Sequence, residues 1–159
     1  MSTRFLIALL CITLSTAFAA AQTADQFEPF ITHWEGRKHW ATHGSAGIGH
    51  NTTRDAFHLY YTDPEIEQIY RTDYATAIVA VRSEIRDFDS LPDDAKLVCL
   101  SVEWGVGWTG FREFRVFRRC ISAHQYKMAA AALMDSRWAS QVSPKRLEDH
   151  VNRLCDLEK

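Results

Sequence analysis

The feature that most constrains how this chain can fold is an amphipathic segment that ends in a glutamate followed by a glycine. Apolar residues recur there at spacings of three and four, which predicts a helix with one buried face. These residues are Phe27, Phe30, Ile31 and Trp34. Asp25 is the expected N-cap, with Glu28 three residues on, and Gly36 is the expected end of the helix. Glu35 then lies beside an indole at the negative end of the helix dipole, and both surroundings favour its protonated form, which a general acid requires.

The pattern of WEG, a short polar turn and SAGIGH at residues 45–50 resembles the phage lysozyme (endolysin) family, glycoside hydrolase family 24. The resemblance resumes at WGVGWTGF, residues 104–111, and at SRWASQVSPKR, residues 136–146, in the order of the family. It covers nearly the whole chain after the leader described below. It implies an α+β fold that is predominantly α, with a small front lobe carrying a short hairpin or turn, a long connecting helix, and a helical back lobe.

The resemblance implies cleavage of the β-1,4 bond between N-acetylmuramic acid and N-acetylglucosamine of peptidoglycan, with Glu35 as general acid. In the family an Asp in the hairpin is the second catalytic group, and a Thr at the start of the glycine run helps to hold a water. Ser45 occupies the Thr position here, while residues 36–44 contain no carboxylate. Thr42 or His43 falls nearest the place of the Asp. We therefore expect Glu35, Ser45 and Thr42 as catalytic residues and His43 as a substrate-binding residue.

The missing Asp leaves three functions open. The protein is a hydrolase that works with one Glu and a hydroxyl-held water, a lytic transglycosylase in which the substrate's own hydroxyl attacks, or a protein that binds glycan without cutting it. We favour the enzyme, because the acid, the glycine-rich return and Ser45 are present together.

Two further substrate-binding residues follow from the resemblance. Arg146, two residues after Pro144, matches an Arg that pairs with the catalytic Glu, and Trp104 stands where the family has an aromatic residue lining the sugar cleft. Packing in the core is the alternative for Trp104. Glu103 is the exception in an otherwise apolar stretch, residues 97–106, which predicts a buried central helix. It lies on a solvated stripe, at the lip of a cleft or hydrogen-bonded inside, and is an alternative acid.

Other helices are indicated by caps and periodicity. Asp63-Pro64-Glu65 predicts a helix start with Asp63 as N-cap, and a break is expected at residues 89–92. The face predicted to be buried consists of Ile66, Tyr70, Tyr74, Ala77, Val81 and Ile85. Gly105 and Gly107 are expected to end the central helix before a turn. The segments expected to complete a helical bundle are 111–121, 125–134 and 143–157, the first of which carries Arg112, Arg115, Arg118 and Arg119. That stripe is a solvated face or meets anionic peptide stems.

The first residues are typical of a secretory signal peptide. Arg4 precedes an uncharged apolar run, and small residues follow, so we expect cleavage after Ala19 or Ala21, which separates residues 1–21 from a single domain at 22–159. An uncleaved signal anchor is the alternative. The protein is then exported, to the periplasm or outside the cell. A Cys120–Cys155 disulfide is expected, with reduced thiols as the alternative.

Composition limits the partners. With 47% hydrophobic residues, 24% charged residues and a net charge of -2, a strongly basic nucleic-acid or membrane binder is not expected. His39 and His43 could in principle bind a metal, but His43 falls in the turn and no Cys or Asp joins the pair. We expect no metal, no cofactor, a monomer, and peptidoglycan glycan strands as the partner.

Overall fold

The computed structural model describes residues 25–42, 45–52 and 60–159, and residues 25–35 form the first helix, α1. The remaining strands and helices are β1 (Lys38–Thr42), β2 (Ser45–Gly47), β3 (His50–Asn51), α2 (Asp63–Glu84), α3 (Asp93–Glu113), α4 (Arg115–Ser122), α5 (Tyr126–Met134) and α6 (Pro144–Asp156). Short 3-10 turns occupy Phe88–Ser90 and Arg137–Ser140. The predicted α+β class, with helix predominating, is confirmed.

The three strands form a small antiparallel sheet in the order β1-β2-β3. Thr42 pairs with Ser45 and Ala46 pairs with His50, so both connections between the strands are tight. Ala46 and Ile48 are buried, and Gly47 lies close to the side chain of Ile66 at the start of α2. The sheet is therefore anchored on α2, and its β2–β3 turn is held near α1.

Helix α2 has the predicted buried face but not the predicted cap. All six residues of that face are buried. The N-cap is Thr62, whose backbone N–H and hydroxyl both donate to Glu65 Oε2, at 2.7 and 2.8 Å. Asp63 is already helical, because this reciprocal capping box satisfies the first turn one residue earlier than predicted. The helix ends at Glu84, before the predicted break. Asp25 is likewise already helical, so the prediction of Asp25 as an N-cap is wrong.

Helix α3 is the predicted buried central helix, and its apolar core residues are Leu97, Val98, Cys99, Leu100 and Val102. Gly105 does not end it. The interruption is at Gly107, whose φ of 69° and ψ of 170° are non-helical, after which helical structure resumes and continues to Glu113. The turn predicted after Gly107 is wrong because one residue in this conformation redirects the chain without a loop.

The predicted disulfide is wrong. Cys99, Cys120 and Cys155 are all free thiols. Cys120 lies on α4 and Cys155 on α6, and α5 packs against both of these helices. Burial raises the pKa of Cys99, so this thiol behaves as a small apolar core residue.

The predicted basic stripe is only partly solvated. Arg112 and Arg118 both pair with Glu84 of α2, whereas Arg115 and Arg119 are exposed. The predicted signal peptide lies outside the described residues. Across the parts of the chain that the structure describes, none of the helices has the length and apolar character needed to cross a bilayer.

Candidate active site

Glu35 is the last residue of α1. Gly36 follows in the left-handed region, with φ of 74°, and its N–H donates to Thr32 O at 2.9 Å, so the predicted end of the helix at Gly36 is confirmed. The side chain of Glu35 is 23% exposed. Its carboxyl is therefore neither in bulk solvent nor sealed in the core.

The glycine-rich run returns to Glu35, as the resemblance implies. At Gly49, φ is 76°, and a Cβ added there would lie 3.1 Å from Glu35 Cγ and 3.0 Å from Trp104 Nε1. A side chain at this position would require Glu35 or Trp104 to shift by a few tenths of an ångström, because contacts this short are tighter than ordinary van der Waals distance. Glycine thus lets the β2–β3 turn pack directly on the acid.

The third part of the site is Arg146, in the first turn of α6. Ser143 caps this helix by accepting from Arg146 N, and Pro144 occupies its first turn. Arg146 Nη1 donates to Glu35 Oε1 at 2.6 Å, so the expected contact between the two residues is present. The side chain of Arg146 is 8% exposed. A charge-assisted pair of this kind fixes the orientation of the carboxyl.

A pocket of about 330 Å³ opens beside Glu35. Its lining residues are Trp34, Glu35, Gly105, Trp138, Gln141, Val142, Ser143 and Arg146. Most of these were not predicted as site residues, because Trp34 and Trp138 look like core residues and Gln141–Ser143 like a connecting loop. Trp34 is next to Glu35 in the sequence, and residues 141–143 lie shortly before Arg146, which is the one signal that could have indicated them.

The other expected catalytic residues lie on the small sheet. Ser45 begins β2, and its hydroxyl accepts a hydrogen bond from Lys38 Nζ at 3.3 Å. The backbone of Thr42 pairs with Ser45 across the hairpin, while its side chain and all of His43 lie outside the described residues. Ser45 is therefore on the strand whose following turn contacts Glu35.

Trp104 has a largely structural setting. Its indole N–H donates to Ile48 O at 3.0 Å, and its ring packs on those of Phe27 and Tyr70, at 5.4 and 5.8 Å between centroids. Among the described residues it lines a second cavity with Glu103, and the lining of the pocket beside Glu35 does not include it. Trp104 thus packs against the core and lines the cavity of Glu103, not the pocket beside Glu35.

Glu103 lies in a separate cavity of about 210 Å³, together with Asp73 and Thr76 of α2. The residue is 5% exposed, so the solvated stripe considered for it is wrong. Burial, and then the nearby charge of Asp73, raise the pKa of Glu103 to about 7. His50 Nδ1 lies 2.6 Å from Asp73 Oδ2. Ser101 and Gly105 lie on the Glu35 side of α3, and Glu103, two residues from each, lies on the opposite side. Glu103 is therefore not the acid of the pocket beside Glu35.

Within the described residues, no group of three or more His, Cys, Asp or Glu side chains could hold a metal ion. His39 Nδ1 lies 2.9 Å from the Tyr61 carbonyl oxygen, and His39 Nε2 lies 3.7 Å from Asp63. Of the two histidines considered as metal ligands, His39 is the one that the structure describes, and both of its ring nitrogens lie near protein oxygen atoms.

The fold and the site define an α+β protein in which an acid–arginine pair lines a pocket between helices. No model of a known protein family matches the chain, and no curated protein matches it. What the protein does has to follow from the chemistry of its own residues.

Proposed function

We propose that the protein is a lysozyme-like glycoside hydrolase that cleaves the β-1,4 bond between N-acetylmuramic acid and N-acetylglucosamine in peptidoglycan, with Glu35 as general acid. One observation carries the proposal. Three parts of the chain that are far apart in sequence, the end of α1, the turn at Gly49 and the first turn of α6, converge on this single carboxyl beside a pocket. A surface carboxylate without a function has no need of that support.

The proposed reaction starts with Glu35 donating its proton to the leaving glycosidic oxygen. Arg146 pairs with the carboxylate that remains after the proton has left, and it keeps the carboxyl oriented. Ser45 is proposed to orient the attacking water, whose proton passes to the Glu35 carboxylate as the water bonds to the anomeric carbon. Thr42 and His43 are nearest the position of the missing second carboxylate.

A lysozyme-like arrangement is part of the proposal. In it the small sheet forms the front lobe, α2 is the connecting helix, and α3 to α6 form the back lobe. Arg146 is proposed to contact substrate as well as Glu35, whereas Trp104 supports the turn that carries Gly49. The protein is proposed to be exported and to act on glycan strands as a monomer without a cofactor.

A lytic transglycosylase is the second candidate, and one observation favours it. Between Glu35 and Asp55 the chain contains no carboxylate. Without a second carboxylate to activate water or to attack, a hydroxyl of the substrate itself can attack the anomeric carbon after Glu35 has protonated the leaving oxygen. The Glu35 carboxylate then takes up the proton that this hydroxyl releases. The product then carries an anhydro end in place of a reducing end.

Mass spectrometry of muropeptides released from purified peptidoglycan tests the proposal. The wild type is expected to release fragments with reducing ends, and Glu35→Gln to lower the rate on the order of a hundred- to ten-thousandfold. Glu103→Gln is the matched control, because it makes the same change at a carboxyl on the side of α3 that faces away from Glu35. Its rate is expected to stay within about twofold of the wild type.

Each other outcome has a definite meaning. Anhydro ends would replace the hydrolase with the transglycosylase. A folded wild type that releases nothing yet is retained by the sacculus would contradict both enzymes and favour a glycan-binding protein. A Glu35→Gln variant as active as the wild type would remove Glu35 as the acid.

A further inference from the structure

The guanidinium of Arg146 has a second set of contacts, directed away from Glu35 into the core. Nη2 donates to Ser101 Oγ at 2.9 Å, and the Ser101 backbone carbonyl lies 3.4 Å from the same nitrogen. On the other side of that hydroxyl, His150 Nε2 lies 2.8 Å from Ser101 Oγ. Ser101 and His150 are both fully buried. A chain of hydrogen bonds therefore runs from the acid into the interior of the helical bundle.

The direction of each hydrogen bond in this chain follows from chemistry. A guanidinium can only donate, so Ser101 Oγ accepts from Arg146. Within the described part of the chain, the one acceptor that the Ser101 hydroxyl proton can reach is His150 Nε2. The buried Ser101 hydroxyl proton is satisfied when that nitrogen accepts it, and the neutral imidazole then carries its own proton on Nδ1.

The surroundings of His150 favour this neutral form. Burial, followed by the positive charge of Arg146, lowers the pKa of His150 to about 4, although Asp149 opposes the shift. Nδ1 lies 3.4 Å from Asp149 Oδ2 and makes no hydrogen bond in the described structure. The ring is packed among three aromatic side chains, Phe30, Trp34 and Trp138. It is thus held in place by packing and offers Nε2 as a fixed acceptor.

We propose that Ser101 and His150 are positioning residues that orient the guanidinium of Arg146 and, through it, the carboxyl of Glu35. The inference deepens the proposed function and rests on it. A carboxyl at the end of a helix has several side-chain rotamers, and an arginine on a different helix can fix one of them only if its own planar group is fixed. Ser101 on α3 and His150 on α6 supply that second anchor.

Two pairs of variants separate positioning from packing. Ser101→Ala removes the hydroxyl with little change in volume, and Ser101→Thr retains it. His150→Leu removes the acceptor, and His150→Gln supplies a carbonyl oxygen in its place. We expect Ser101→Ala and His150→Leu to lower kcat on the order of tenfold or more with KM within about twofold, because a hydrogen bond to a charged group is lost while the pocket is kept. Ser101→Thr and His150→Gln are expected to recover most of the loss.

A second measurement does not depend on activity. Nitrogen NMR of the His150 ring in the wild-type protein between pH 5 and 8 should show a neutral imidazole with the proton on Nδ1. In Ser101→Ala the side-chain N–H signals of Arg146 should exchange faster with water than in Ser101→Thr.

The proposal would be overturned by a proton on Nε2, by a Ser101→Ala variant with wild-type kcat, or by Ser101→Thr losing as much activity as Ser101→Ala. A wild type without glycan-cleaving activity would instead contradict the proposed function, and the tautomer would still report whether the hydrogen-bond chain exists. The two failures are therefore distinguishable.

Discussion

Two carboxyl groups, those of Glu35 and Glu103, lie on opposite sides of helix α3, and their surroundings differ. Glu35 is 23% exposed and paired with Arg146 at 2.6 Å. Glu103 is 5% exposed, and the neighbouring charge that acts on it is that of the like-charged Asp73. Gly49 touches both regions, since it contacts Glu35 and lines the cavity of Glu103.

The comparison shows that the more buried of the two carboxyls is not the one that lies beside the pocket and the arginine. Glu103 is the more strongly buried acid and has a pKa of about 7, which on its own is a property of general acids. Among the described residues that line its cavity there is no lysine or arginine, and the cavity lies on the α2 side of α3. Glu35 instead lines a pocket and accepts a hydrogen bond from Arg146, whose guanidinium also donates to the buried Ser101 hydroxyl.

The largest expected effect comes from removing the cation of the paired site. Arg146→Met leaves Glu35 without its partner and Ser101 without its donor, and we expect a loss of about 4 kcal/mol in the free energy of unfolding, because an uncompensated charge then remains in a partly buried place. Urea unfolding at pH 7 measures it. Arg115→Met is the matched control, since Arg115 forms an exposed ion pair with Glu113 at 3.7 Å.

For Arg115→Met the expected change is within about 0.5 kcal/mol. Equal losses in Arg146→Met and Arg115→Met would show that the pair beside Glu35 is no better supported than a surface pair. The contrast between the two sides of α3 would then have no energetic basis.

The part of the site that is local in sequence could be predicted. The helix ending at Gly36 follows from apolar spacing and a glycine, and the glycine run announces a close return of the backbone. The partner of Glu35 was expected only through the resemblance, because Arg146 is 111 residues away and nothing in its own neighbourhood marks it. Ser101 and His150 were not predicted as site residues. One sits in an apolar run and the other on an ordinary amphipathic helix, and their role exists only where α3 and α6 meet.

Glu103 shows a second limit. The sequence predicted the buried helix around it, but which side of the helix faces α2 depends on how two long helices pack. Gly105 and Gly107 were both expected to end α3, and only Gly107 interrupts it.

The pH dependence of stability provides the next test. The carboxyl of Glu103 stays protonated up to about pH 7 in the folded protein, whereas in the unfolded chain it loses its proton above about pH 4.5. Its contribution to the free energy of unfolding is therefore lost as the pH rises from about 4.5 to about 7. The imidazole of His150 stays neutral down to about pH 4 in the folded protein, whereas in the unfolded chain it takes up a proton below about pH 6.5. Its contribution to the free energy of unfolding is therefore lost as the pH falls from about 6.5 to about 4. In the wild type the two slopes oppose each other between these limits.

Single variants should therefore uncover one slope each. Relative to the wild type, Glu103→Gln is expected to be unchanged at pH 4.5 and more stable on the order of 3 kcal/mol at pH 8, from about 1.4 kcal/mol for each unit of the pKa shift. His150→Gln should show a steeper fall in stability than the wild type between pH 4.5 and 7. Urea unfolding across this range measures both. A difference between Glu103→Gln and the wild type that does not change with pH would contradict the raised pKa of Glu103.

The smallest expected effect separates the two sides of α3 at the level of the backbone. Gly49 and Gly107 both have left-handed φ, of 76° and 69°, but a Cβ at Gly107 meets nothing within 4 Å. Alanine at either position should cost about 1–2 kcal/mol in the free energy of unfolding, because a non-glycine residue is strained there. Only Gly49→Ala should also displace Glu35 and so lower the rate of peptidoglycan cleavage, whereas Gly107→Ala should retain the wild-type rate.

If both variants lose stability and neither loses activity, the turn at Gly49 supports the fold without positioning the acid. If both lose activity equally, the cavity of Glu103 matters to the reaction as much as the pocket beside Glu35.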